Sequence, residues 1–266
     1  MNMPNEILSA LKKDYIHNLI VEGKRADGRS FTEMRDISVK THVIDKAEGS
    51  AYVKYGETKV LVGIKLQKGS PFPDSPNSGI IMTGMELNPL ASPDFEAGPP
   101  REESIEMSRI VDRGIRESHS IDLEKLCIKE GELVWMVFVD ISIINDAGNL
   151  VDASCLASIA ALMTTIVPAD EANGFESIPL PMQNIPVGVT VVSIDNTLIL
   201  DPTLDEGTVC DTKLMIITEQ DGALSGMQKS GAEPLLPERV IEMVNLAREK
   251  GAEIRERYLS NLSIRG

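Results

Sequence analysis

LVWMVFVDISIINDAGNLVDASCLASIAALMTTIV, residues 133–167, is the stretch on which the reading of the fold turns. It opens with a strongly apolar run, read as a strand, and closes with a small-residue run, read as a helix. Between them lies a glycine turn. A strand that feeds a glycine turn and then a helix N-terminus builds an anion site. Free backbone N–H groups and the positive end of the helix dipole point there at one place. This turn offers no lysine, arginine or serine to hold the anion. A helix starting near Asn149 makes that residue the N-cap and puts Asp152 at N3, a variant capping box with Asn for Ser and Asp for Glu. The helix's own carboxylate then takes the positive end. At ~4 Å it would repel a phosphate charge by about 4 kcal/mol, taking an effective dielectric of about 20. Gly148, Asn149, Leu150 and Asp152 are therefore read as a phosphate site that its residues have closed.

Strands precede this unit and follow it. DISVKTHVI (36–44) alternates as a half-buried strand does, and GSAYVKYGETKVLVGIKL (49–66) reads as two strands around a Gly56-Glu57 turn. A proline-rich segment follows, holding one strand, GIIMTGMEL (79–87). Beyond residue 178, PVGVTVVSI (186–194) and TLILDPTL (197–204) read as strands, and residues 210–231 as two strands around Asp221-Gly222. ETKVLVGI (57–64) and DTKLMIIT (211–218) share an acid-Thr-Lys start before an apolar strand, which suggests two similar α+β units, approximately 25–170 and 178–266. Residues 4–22 read as a helix with Ile7, Leu8, Leu11, Tyr15 and Leu19 as its apolar positions, in a lead-in spanning 1–24. A long helix closes the chain from about Glu238 to Leu259.

Two stretches can carry chemistry. In REESIEMSRIVDRGIRES (101–118), Arg109, Arg113 and Arg116 fall within about 60° of one another at roughly 100° per residue. Met107, Ile110, Val111 and Ile115 lie opposite. Three guanidiniums on one face fit a polyanion. Pairing with Glu102 and Glu106 on the same stripe, as a solvated face, stays open. In DPTLDEGTVCD (201–211), the carboxylates Asp201, Asp205, Glu206 and Asp211 could hold Mg²⁺ or supply a general acid. They could equally be turn residues, and Asp211 is the one to follow.

Composition excludes several classes. The chain has 266 residues, 42% hydrophobic and 25% charged, which suits a globular protein with an ample core. The longest apolar stretch, Leu133 to Ile144, contains Asp140 and is shorter than the roughly 20 residues a membrane span needs. The N-terminus lacks an apolar signal core, so a cytoplasmic protein without a membrane role is expected. Cys127, Cys155 and Cys210 lack metal-ligand spacing and read as buried free thiols. His17, His42 and His119 form no ligand pattern, and P-loop, dinucleotide and G-x-S-x-G motifs are absent. Neither a metal nor a cofactor is expected. A net charge of −15 argues against nucleic-acid binding over the whole surface, but allows one local basic edge.

Taken together, RADGRSFTEMR (25–35), GSAYVKYGETKVLVGI (49–64), IVDRGIRES (110–118), VDISIINDAGNLVDA (139–153) and DPTLDEGTVCDT (201–212) resemble the RNase PH family of phosphate-dependent 3′→5′ exoribonucleases. The resemblance covers nearly the whole chain and is greatest to the non-catalytic RNase PH-like subunits of the archaeal exosome. It implies an α+β, RNase PH-like fold (ribosomal protein S5 domain 2-like) over 25–266. Active members carry Gly-Ser/Thr-Arg at the strand-to-helix turn to grip phosphate, where this chain has Gly148-Asn149-Leu150. Asp211 stands near the place of the family's catalytic aspartate and is expected to be at most a vestige. The resemblance further implies a hexameric ring of three heterodimers with a catalytic paralogue, single-stranded RNA threading it, and a cap trimer of RNA-binding proteins. Arg113 and Arg116, with Arg109, would hold RNA at the partner's active site. The alternatives are an active phosphorolytic enzyme in its own right, or an interaction scaffold that does not touch RNA.

Overall fold

The computed structural model describes residues 3–262, with side chains described from residue 11. Helix α1 (Met3–Val21) precedes strands β1 (Ile37–Thr41), β2 (Gly49–Tyr55), β3 (Thr58–Gly69) and β4 (Ile80–Leu87). Helix α2 (Glu102–Glu117) leads to β5 (Cys127–Lys129) and β6 (Leu133–Asn145), and α3 (Leu150–Met163) follows directly. Two short strands, β7 (Ile166–Val167) and β8 (Ile178–Pro179), pair with each other before the second half begins. That half comprises β9 (Val187–Ile194), β10 (Thr197–Leu200), α4 (Leu204–Val209), β11 (Thr212–Thr218), β12 (Leu224–Ser230) and α5 (Pro237–Ile254). A wider helical turn over Arg255–Leu259 extends α5.

Two sheets organise the chain. The first has the order β1-β2-β3-β6-β4, antiparallel except for the parallel β4–β6 pair, with β5 added to β6. The second runs β10-β9-β11-β12 and is antiparallel throughout. Helix α3 packs on β2 and β3 on one side and on β9 on the other, so it lies between the sheets. That placement explains its composition: twelve of its fourteen residues are buried, and only small side chains let two sheets approach so closely. Gly188 on β9 leaves room for the Met215 methyl and lies against Cys155, and Thr190 on the same face reaches Asp152. The alternate residues Val187, Val189 and Val191 turn towards α5, so β9 is buried along its whole length. Among the described residues no helix is long and apolar enough to cross a membrane.

The two elements with the clearest punctuation fall as expected, the β2–β3 hairpin around Gly56-Glu57 and the strand inside the proline-rich segment. Others differ. Residues 197–204 are a strand only as far as Leu200, and the acidic run after it forms α4. In α1 the buried positions are Ile16 and Ile20, which pack on Val192, Ile194, Ile199 and Val209. Leu11 and Tyr15 face outward, Leu19 is half-buried, and the side chains of Ile7 and Leu8 lie outside the described residues. The helix has two apolar seams, and the one that docks is one residue away from the one with stronger periodicity. Of the three thiols only Cys155 is buried, Cys127 and Cys210 being half-buried; all three are free.

Candidate functional site

The turn between β6 and α3 does not form the capping box that its sequence suggests. Asn149 is the N-cap, yet it adopts φ 58° and ψ 43°, and its side chain makes no capping bond. A left-handed backbone there swings the amide away from the N3 position. Asn149 Nδ2 donates instead to Asp152 Oδ2 at 2.9 Å and to Asp201 Oδ1 at 2.8 Å. The Asp152 carboxylate does not reach back to the cap's backbone amide either. It accepts from the Thr190 amide and the Thr190 hydroxyl, both at 2.7 Å. It is fully buried, and burial pushes its pKa up to about 6 despite those bonds.

Other groups occupy the turn. The Gly148 amide, which would face an anion, donates to Asp146 Oδ1 at 2.9 Å, and the Ala147 amide donates to Thr58 Oγ1 at 3.2 Å. Gly148 has φ +92°, and a Cβ on it would meet Leu204 N at 2.4 Å and Thr203 C at 2.5 Å. The 203–204 backbone thus lies directly over the glycine. Leu150 is buried in the core.

Beneath this turn sits an arginine knot built from RADGRSFTEMR. Arg35 Nε and Nη2 donate to the two oxygens of Asp201 at 2.8 and 2.7 Å, and its remaining N–H groups reach the Ala147 and Gly148 carbonyls at 2.9 and 3.1 Å. Arg29 Nη1 adds a bond to Asp201 Oδ2 at 3.1 Å. Arg25, wholly buried, grips Glu206 with two bonds of 2.8 and 2.7 Å. Burial alone would raise the Asp201 carboxyl, but the bonds and charge of Arg35, with the Asn149 bond, hold it below the usual carboxylate range. Asp201, read above as a turn residue or a metal ligand, is the fully buried anion of this knot. Glu206 is N3 of a complete capping box with Thr203. The pattern Thr203-x-x-Glu206 stood in the sequence as a signal for α4. Nothing in the sequence marked the arginines' partners, which lie more than 160 residues away.

The arginine face of α2 forms as its spacing predicts. Arg109, Arg113 and Arg116 are exposed, while Met107, Val111 and Ile115 are buried and Ile110 is half-buried. Their surroundings differ. Arg116 Nε donates to Asp112 Oδ2 at 2.6 Å, and a second N–H bonds the Ile81 carbonyl. Among the described residues Arg109 and Arg113 have no ion-pair partner, so the pairing with Glu102 and Glu106 does not form. Two free guanidiniums about 6 Å apart along a helix can hold successive phosphates of a chain. Asp211 stands apart from the turn. Its amide bonds Ser193, three residues along β9 from Thr190, or about 10 Å. Its carboxylate accepts the Asp195 amide at 2.9 Å and closes the β9–β10 turn. Among the described residues no cluster of His, Cys, Asp and Glu could hold a metal ion.

Two sheets with a small-residue helix between them, the β6–α3 glycine turn and the α2 arginine face define an RNase PH-like α+β protein. Sequence models described as 3′ exoribonuclease family, domain 1 and domain 2, match residues 33–168 and 184–250. The chain belongs to that family. It is 56% identical over 263 residues to the exosome complex component Rrp42 of Methanosarcina acetivorans, covering 99% of both chains. A solved structure of the Archaeoglobus fulgidus exosome with RNA bound to the active site contains a chain 48% identical to this one, with a TM-score of 0.90 over 94% of this chain and 99% of that one. An archaeal exosome core contains another, 45% identical, with a TM-score of 0.87 over 96% and 99%.

Proposed function

We propose that this chain is the non-catalytic RNase PH-like subunit of an archaeal exosome. It assembles with a catalytic paralogue as three heterodimers in a hexameric ring, carries a trimer of RNA-binding cap proteins, and works in the cytoplasm. Single-stranded RNA is held by Arg113 and Arg109, with Arg116 in a supporting position, while the paralogue performs phosphorolysis. The observation that carries this reading is the occupied turn at Gly148. Its amide is bonded to Asp146, the 203–204 backbone covers it, and a leucine stands where a phosphate-gripping arginine is needed. Without bound phosphate there is no nucleophile, and Asp211, already bonded to a turn amide, has no leaving group to protonate. The relatives described as exosome components, one of them a chain of an exosome solved with RNA bound to the active site, support the same assignment. We also read 25–170 and 178–266 as related units. Thr58 and Thr212 open β3 and β11, both are buried, and each donates its hydroxyl to a carbonyl of another segment, Gly148 and Glu233.

The test is nucleoside diphosphate release from single-stranded RNA with inorganic phosphate and Mg²⁺. The purified chain alone is expected to release none, and the mixture with its catalytic paralogue to release it steadily. Release by the chain alone, sensitive to Asp211→Asn, would make this chain an enzyme and sink the reading.

A further inference from the structure

The stripe of α2 that carries the arginines is divided along its length. At roughly 100° per residue, Glu102, Glu106, Arg109 and Arg113 fall within about 60° of one another, and all four are exposed. The carboxylates come first and the guanidiniums after them. No ion pair joins any of the four to a partner among the described residues. Helix stability does not ask for this division. Glu102 and Glu103, in the first turn, suit the positive end of the dipole, but Glu106 lies beyond its reach. It stands four residues from Glu102, a like-charge spacing that destabilises a helix.

The surroundings of that first half are acidic as well. Arg101, the N-cap of α2, makes no side-chain capping bond, so the free N–H groups of the first turn would by themselves draw a phosphate. Beside them, residues 85–89 and 94–105 line a trough of about 880 Å³. Glu86, Asp94 and Glu103 line it without an ion-pair partner among the described residues, and Glu96 is joined there by Arg101. Glu106 precedes Arg109 by three residues, or about 4.5 Å of helix, so the change of sign along the stripe is abrupt. An RNA strand that continued past Arg109 towards the start of α2 would bring its phosphates against carboxylates on the helix and along the trough. At about 7 Å in water and at low salt, each such encounter weakens binding about threefold.

We infer that Glu102 and Glu106 are positioning residues that end the RNA path on this subunit. They exclude phosphates from the first turns of α2 and from the trough beside them. The strand therefore turns away at Arg109 and meets the helix through Arg109 and Arg113 alone. The inference rests on the RNA contact proposed above and adds to it where that contact stops, and why the uncapped end of α2 does not compete for the strand.

The experiment measures binding of labelled single-stranded RNA to the chain assembled with its catalytic paralogue, without inorganic phosphate so that the strand is not degraded. Glu102→Gln with Glu106→Gln is expected to tighten binding about three- to tenfold at about 0.01 M salt, and the gain should fade towards 1 M as screening shortens the reach of the charges. Glu130→Gln with Glu238→Gln is the control. It makes the same change in net charge at exposed positions elsewhere, one of them likewise in the first turn of a helix, and is expected to leave binding within about twofold of wild type. Melting of each isolated chain shows whether the fold is kept. Equal tightening by both pairs overturns the inference, because net charge and not position then decides. Unchanged binding in the Glu102/Glu106 variant overturns it too, and leaves the RNA contact standing if Arg109→Ala with Arg113→Ala still weakens binding. If that arginine variant also binds as wild type does, the RNA contact falls with it.

Discussion

Asp152 and Asp201 are fully buried carboxylates joined by the Asn149 amide, and they respond to the fold in opposite directions. Asp201 has Arg35 and Arg29 beside it and is held low, so it contributes stability above the usual carboxylate range that is lost as pH falls. Asp152 accepts only neutral donors, and burial lifts it from 3.8 to about 6. The fold therefore binds an extra proton between those values, and the stability this contributes is full below about 4 and lost as pH climbs through about 6. Asp152→Asn removes the titration while keeping the geometry. Its carbonyl can take the Thr190 and Asn149 amides, and its NH₂ can donate to the Thr190 hydroxyl. Relative to wild type, the variant should gain on the order of 3 kcal/mol between pH 4 and pH 7, at about 1.4 kcal/mol per unit. Urea unfolding of both proteins across that range measures it. A constant difference would mean that Asp152 titrates normally.

A glycine turn before a helix was legible in the sequence, because it depends on residues within one turn of Gly148. How other groups come to fill the turn was not legible. It depends on Asn149 taking φ 58° and on the 203–204 backbone arriving over Gly148, a contact that only the folded chain creates. The same limit hid Arg25, Arg29 and Arg35, since a loop rich in arginine reads as solvated until Asp201 and Glu206 are placed inside it. By contrast, the α2 face was visible in full from helical spacing, because burial of Met107, Val111 and Ile115 fixes which side the arginines must take. Leu150→Arg puts a guanidinium at the turn where a leucine is packed. With the Gly148 amide already taken, no phosphate is there to pair with it. The variant should lose about 3 kcal/mol or more of stability, as an uncompensated buried charge does, and calorimetry should detect no phosphate binding. A well-folded variant that binds phosphate would show that the turn is open.

At the scale of the molecule, a chain of net charge −15 must touch a polyanion through a small part of its surface. Most of its arginines near the turn are spent internally on Asp201 and Glu206, and Arg116 is held by Asp112, which leaves Arg109 and Arg113 as the cations of the α2 face unpaired among the described residues. Their contribution should therefore be separable from folding. Each phosphate neutralised on a single strand adds about 0.7 to the slope of log Kobs against log salt. Arg109→Ala combined with Arg113→Ala, tested in the assembled complex, should lower the magnitude of that slope by about 1.4. Stability should stay within about 0.5 kcal/mol of wild type, because neither side chain is buried or has an ion-pair partner among the described residues. Fluorescence anisotropy of a labelled oligonucleotide from low to moderate salt gives the slope, and thermal melting of the isolated chain gives the control. An unchanged slope with intact assembly would leave these arginines as a solvated face and move RNA contact entirely onto the partner subunits.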